Sequence, residues 1–226
     1  MAFPITHLLV ADALLTRRPR ADAAQFMLGA LAPDAVHYRE GFVGAAMSNI
    51  GQAKKVTHLC PVNDEPWGSI TLNEDWIQCV KGWMQNNAGL LSEGYAVHIL
   101  TDIYNNLTLW ERFRVMHPAQ AAKGYASDYY RDLQEIDLKL YLSHVQGTRI
   151  EQLLENAKPC DMPGLVSAGE LGAIRDNILY ENYKGRNLTA GYEYGFVTYN
   201  ETLDFISDAT DAILSWQEGC LVKQNH

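Results

Sequence analysis

Cysteine is scarce and scattered: Cys60, Cys79, Cys160 and Cys220 are the four thiols in 226 residues. None forms a CxxC pair, which excludes a zinc knuckle and a disulfide framework and leaves free thiols. Long apolar runs are missing as well, since nothing approaches the roughly 20 residues of a membrane span. Positive charge is in deficit, with 18 Lys and Arg against 27 Asp and Glu and a net charge of -9. That balance argues against non-specific binding to nucleic acid or to an anionic bilayer. The start, MAFPITHLLVADALLTRRPR, lacks the basic segment that precedes the apolar run of a secretory signal, so a cytoplasmic protein is expected. Alternating strand patterns are confined to GYEYGFVTY, and there are no repeats.

What the chain has is helical punctuation, with 47% hydrophobic residues to fill a core. Pro4 opens a first helix that runs through Leu15, and DAAQFMLGALA must stop before Pro33. Residues 40 to 70 show no clean period and read as a long functional loop. Helices are then expected over 72–86 (Thr71 and Glu74 as a capping box), 88–104, 119–146, 149–157 (Thr148 with Glu151), 168–184 (Ser167 with Glu170) and 199–218. The expectation is an all-α bundle of about seven or eight helices in one domain, 1–226.

Polar residues on apolar faces mark the candidate site. His98 and Asp102, in GYAVHILTDI, are four apart and share one face of a helix whose flanks are apolar nearly all round. A buried carboxylate must be paired, hydrogen-bonded or metal-bound, and spacing alone leaves a bond across one turn and a metal site both open. Helical phase also turns His7 inward, and it places Asp137 and His144 on the apolar arc of Leu133, Ile136, Leu140 and Tyr141, with Asp132 and Lys139 outside. Inward imidazoles and carboxylates together are costly to desolvate without a cation, which favours a metal. Trp67, Trp76, Trp83 and Trp110 could line a pocket, although tryptophans at helical spacing are more often core.

THLLVADALL, FMLGALAPDAVHYR, KKVTHLC and GYAVHILTDI together resemble the zinc-dependent phospholipase C superfamily, over about residues 1 to 145. The resemblance implies the all-α fold shared with P1 nuclease, with a metal-site core in 1–145 and residues 146–226 packing on it. It implies that His58, His98 and Asp102 bind one metal, with Asp102 bridging to a second that His7 binds. Asp34 is similar to the carboxylate that supports or deprotonates the attacking water, and counts among the ligands; His37, one turn on, is a ligand or a partner of one. Two family ligands are not matched. The processed N-terminal amino group is replaced by a start at Met1, and no histidine follows Asp102 before His117; Asp137 is the natural replacement to complete a two-metal site.

The expected activity is metal-dependent phosphoester hydrolysis, with zinc as cofactor and iron or manganese also accepted by such ligands. The substrate would be a small-molecule or lipid-derived phosphoester, without nucleic acid or stable membrane association. Arg39, Lys54 and Lys55 are candidates for outer phosphate oxygens, and Asn105, Asn106 and His144 for substrate or ligand support. Residues 150–226 either close the pocket or form a homo-oligomer interface. Two alternatives stand: an HD-type nucleotide phosphohydrolase, against which no His-Asp dipeptide occurs, and a metal-holding interaction protein without turnover.

Overall fold

Apolar residues spaced three and four apart along most of the chain produce helices, and a computed structural model describes residues 2–42, 48–61 and 70–221. Among them are eleven α-helices and no strand; Met162 and Val166 form one isolated bridge. The all-α expectation holds, with the bundle divided more finely than the sequence pattern suggested.

The central element is α5 (Leu90–Leu107), every residue of which from Gly94 to Ile103 is buried. Around it pack α1 (Pro4–Arg17), α2 (Ala23–Gly29), α4 (Asn73–Asn86), α6 (Leu109–Met116) and α11 (Tyr199–Leu221). The crossing of α2 with α5 depends on two glycines. A Cβ on Gly29 would stand 2.2 Å from Leu91 O, and one on Gly94 would stand 2.0 Å from Phe26 O, so only hydrogens fit between the backbones. After α2 a 3-10 turn over Ala32–Tyr38, with Pro33 in its first turn, lies against α3 (Ser48–Thr57) and α10 (Ala168–Asp176). The C-terminal segments thus pack on the N-terminal ones: α11 on α1 and α5, α9 (Arg149–Asn156) on α2, and α10 on the 3-10 turn.

Several boundaries differ from expectation. Helix α3 falls inside the stretch that reads as a loop; among its described side chains the buried ones are Lys54 and Thr57, followed by His58, polar residues that a hydrophobic period does not register. The 119–146 segment splits into α7 (Pro118–Ala121), a 3-10 turn (Gly124–Ala126), α8 (Asp128–Leu140) and a π turn (Tyr141–Val145), with Gly124 at φ 55 making the break. Leu72, not Thr71, is the N-cap of α4, and no side chain caps it. Thr148 caps α9 by accepting from Ile150 N and Glu151 accepts from Gly147 N, so neither bond of the expected box is made and Thr148 acts as a simple N-cap. At Ser167 and Glu170 the capping box is complete.

No helix among the described residues is long and apolar enough to cross a membrane. Cys60, Cys79 and Cys160 are free thiols, as expected, and the Cys220 side chain lies outside what is described.

Candidate metal centre

Four chain segments bring polar groups to one buried point. Helix α1 supplies His7, the 3-10 turn Asp34, the end of α3 His58, and α5 both His98 and Asp102. The three imidazoles and Asp102 are at most 1% exposed.

The nitrogens are aimed by their backbone partners. His98 Nδ1 lies 2.8 Å from Ala30 O, and His58 Nδ1 lies 2.9 Å from Lys54 O; each is an acceptor-only contact, so Nδ1 carries the proton. In the neutral ring the lone pair is then on Nε2, the atom that faces the carboxylates. His58 Nε2 is 3.4 Å from Asp34 Oδ1 and 3.6 Å from Asp102 Oδ2. His98 Nε2 is 3.6 Å from the same Asp102 oxygen and 3.9 Å from Asp34 Oδ2. Lone pairs facing carboxylate oxygens repel unless a cation lies between them. Tetrahedral zinc with bonds of about 2.0–2.1 Å sets its ligands about 3.3–3.4 Å apart, close to these separations.

His7 extends the cluster on the other side of Asp102. Its ring stacks on that of His98, centroids 3.6 Å apart and planes within 9°. Its Nε2 lies 3.5 Å from Asp102 Oδ1, the oxygen that also accepts from Ala2 N at 3.1 Å. Neither nitrogen of His7, nor Nε2 of His98, nor Oδ2 of Asp102 has a hydrogen bond among the described residues. Leaving such groups buried without partners costs about 1–3 kcal/mol each, more for a charge. Two overlapping sets of donor atoms lie within mutual reach of one ion: His7, Asp34 and His98, and His58, His98 and Asp102.

The electrostatics agree with ligands in waiting. Burial holds His7 well below the usual histidine range and His58 down to about 3, with neighbouring positive groups adding to the effect, so both rings are neutral at pH 7. Burial pushes Asp102 up despite His98 beside it. Asp34 is the exception. Burial opposes its ionisation, but the ammonium of Lys54, with His37 behind it, outweighs that and holds it well below the usual carboxylate range. Lys54 is itself buried, with Nζ 2.8 Å from Asp34 Oδ1 and 3.0 Å from His37 Nε2. His37 has a side chain 36% exposed and reaches to 3.8 Å from Asp34 Oδ1, which makes it the solvent side of the cluster.

Aromatic residues brace the ligands. Trp76 donates from Nε1 to His58 O at 2.6 Å, and Tyr95 donates to Thr57 O. Trp110 and Trp83 belong to ring clusters with Tyr129 and Tyr95, as core residues do, and Trp67 lies outside the described residues. The chain leaves α3 through Leu59 at φ 51, a left-handed conformation that turns it away immediately after His58.

Other candidates are placed elsewhere. Asp137 is buried as the phase required, yet it sits under the start of α1, accepting from Ile5 N at 3.1 Å and from the Tyr183 hydroxyl, and belongs to neither donor set. His144 is exposed beside the Tyr199 hydroxyl at 2.9 Å, because the π turn lags the 100° phase that had placed it inward. Arg39 pairs with Glu170, Nε to Oε1 2.6 Å, and ties the 3-10 turn to α10. Asn106 donates to Ile70 O and Asn73 Oδ1 and fixes the start of α4. Asn105 is buried three residues beyond Asp102, and Lys55 is half-buried on α3.

Two residues escaped the sequence reading. Lys54 reads as a loop cation from sequence, but it is the buried partner of Asp34. Asp132 was placed outward and is 2% exposed, with Oδ2 accepting from the backbone of Gly195, Phe196 and Val197, because the non-helical segment after Gly191 folds over that face. Nothing local in the sequence signals either burial. Compared with family models, curated proteins and solved structures, the chain matches none.

Proposed function

We propose that this chain is a metal-dependent phosphoester hydrolase. The observation that carries the reading is the set of Nε2 atoms of His58 and His98 turned toward Asp34 and Asp102 at 3.4–3.9 Å, with their Nδ1 protons committed to backbone carbonyls. The motif resemblance to the zinc-dependent phospholipase C superfamily points the same way.

His58, His98, Asp34 and Asp102 would hold one divalent ion, zinc by the chemistry of the donors, and His7 with Asp102 would hold part of a second. Such ions lower the pKa of bound water and stabilise charge on a phosphoryl group. The chain's own groups do the rest. Asp34, kept ionised by Lys54, serves better to orient water than to take its proton, because a depressed carboxylate is a weak base. Lys54 contributes a fixed positive charge beside the same oxygen. His37 is the group through which a substrate from solvent first meets the cluster.

One observation favours a second reading, in which the site holds metal without turnover: Lys54 sits within hydrogen-bonding distance of both Asp34 and the part-exposed His37. Protein prepared without chelator should carry about two zinc ions per chain. It should hydrolyse p-nitrophenyl phosphate, bis-p-nitrophenyl phosphate or a micellar glycerophospholipid, with a chelator abolishing turnover. Metal without turnover on any of the three supports the holding role, and less than one ion per chain overturns both readings.

A further inference from the structure

A second site lies on the far face of α5. Leu100 is two residues from both His98 and Asp102, about 200° round the helix from each, and it forms part of the wall of a cavity of about 380 Å³. That volume is in the range of small-molecule pockets. The floor is apolar, built by Val80 and Met84 from α4, Leu100 from α5 and Trp216 from α11.

The rim is basic in a chain of net charge -9. Arg18, Arg20 and Lys81 all line the cavity. Arg20 Nε is 3.0 Å from Glu93 Oε2, and Arg18 pairs with Glu218, so each guanidinium is matched by one carboxylate. Among the described residues no carboxylate lies within ion-pair distance of Lys81. Among the described residues, one positive charge, that of Lys81, is thus without an ion-pair partner beside an apolar floor. The guanidiniums, each with five N–H groups, keep donors to spare beside it.

We propose that this cavity binds a small apolar monocarboxylate, its hydrocarbon body on Trp216, Met84, Val80 and Leu100 and its carboxylate at Lys81. A dianion would leave excess negative charge beside Glu93, and a neutral or cationic ligand would leave Lys81 unmatched. The assignment is independent of the metal centre.

The test titrates full-length protein with 2-naphthoate, its neutral amide and 2-naphthylmethylamine, by calorimetry and by saturation-transfer NMR. Naphthoate should bind at least about tenfold more tightly than either analogue, a factor accessible to both methods. Lys81→Glu should remove that preference and Lys81→Arg should keep it, with thermal melts showing both variants folded and metal per chain unchanged. Equal affinity for the three probes, no binding of naphthoate at about 1 mM, or a preference that survives Lys81→Glu would overturn the assignment.

Discussion

The imidazole of His7 lies flat on that of His98, 3.6 Å between centroids, and the two Nε2 atoms reach different oxygens of one carboxylate, Asp102. A pair of buried stacked rings with unmatched nitrogens is poor packing for an apo core. Replacing His7 by Leu should therefore leave the chelated protein as stable as the parent, or about 1 kcal/mol more so. It should also reduce bound metal from two ions to one. Asp102→Ala should lose both, because its two oxygens face the two groups of imidazoles. Elemental analysis together with urea titrations in chelator checks the pair, and unchanged occupancy in the His7 variant would remove it from the ligand set.

Lys54 is the cation that makes Asp34 tolerable when no metal is bound. In Lys54→Met the carboxylate would stay buried without its ammonium, at a cost of about 3–5 kcal/mol in the chelated protein. Zinc supplies replacement charge, so the loss in the metal-saturated protein should be distinctly smaller. Denaturation with and without chelator measures both values. Equal losses would mean that Asp34 does not take part in holding the ion.

Gly94 links packing to ligand geometry. Its Cα passes so close to Phe26 that Gly94→Ala must push α2 off α5. Overpacking of this kind costs about 1–3 kcal/mol, and here the obstacle is backbone, which gives little. Ala30 O, the acceptor that orients His98, moves with α2. The variant should lose metal affinity as well as stability, by calorimetry with zinc. Lost stability with unchanged affinity would show that Ala30 O is not what sets the ring.

Asp137 supplies a pH signature away from the centre. Burial raises its carboxyl to about 7, although Tyr183 and Ile5 N donate to it. The folded state thus binds this proton more tightly than the unfolded chain, whose value is about 3.9. The associated stability is complete below about pH 4 and is lost as pH rises to about 7, an effect on the order of 2–4 kcal/mol. Asp137→Asn keeps an acceptor for Ile5 and cannot ionise. The stability difference between variant and parent should move in the variant's favour across that window, in urea titrations at stepped pH. A difference that does not change with pH would mean the carboxyl titrates near its ordinary value.

The parts of the site carried by long regular helices were legible. The four-residue spacing of His98 and Asp102 and the inward phase of His7 needed nothing beyond 100° per residue, and the structure places all three together. His58 and Asp34 were legible only through motif resemblance, since both lie at the ends of short elements where no period can accumulate. His144 shows how a local change in helix type defeats phase: one π turn exposes a side chain expected inside. Asp132 shows the complementary limit. A helix face becomes interior when a distant irregular segment covers it, and such coverage has no signature in the helix itself.

The donors at His7, Asp34, His58 and His98 are spread over nearly the first half of the chain, and no disulfide joins the described residues. A bound ion would fasten these stretches at one knot in the folded state, and because the unfolded chain holds no preformed site, its binding free energy would add to the stability of the fold. It would do the work that cross-links do in small secreted proteins. Because the knot ties α1 to α5 and α11 lies along both, the C-terminal helix would inherit rigidity from an ion it never touches. Unfolding should then be slow while the ion stays, and release of the ion, rather than melting of any one helix, should set the protein's lifetime.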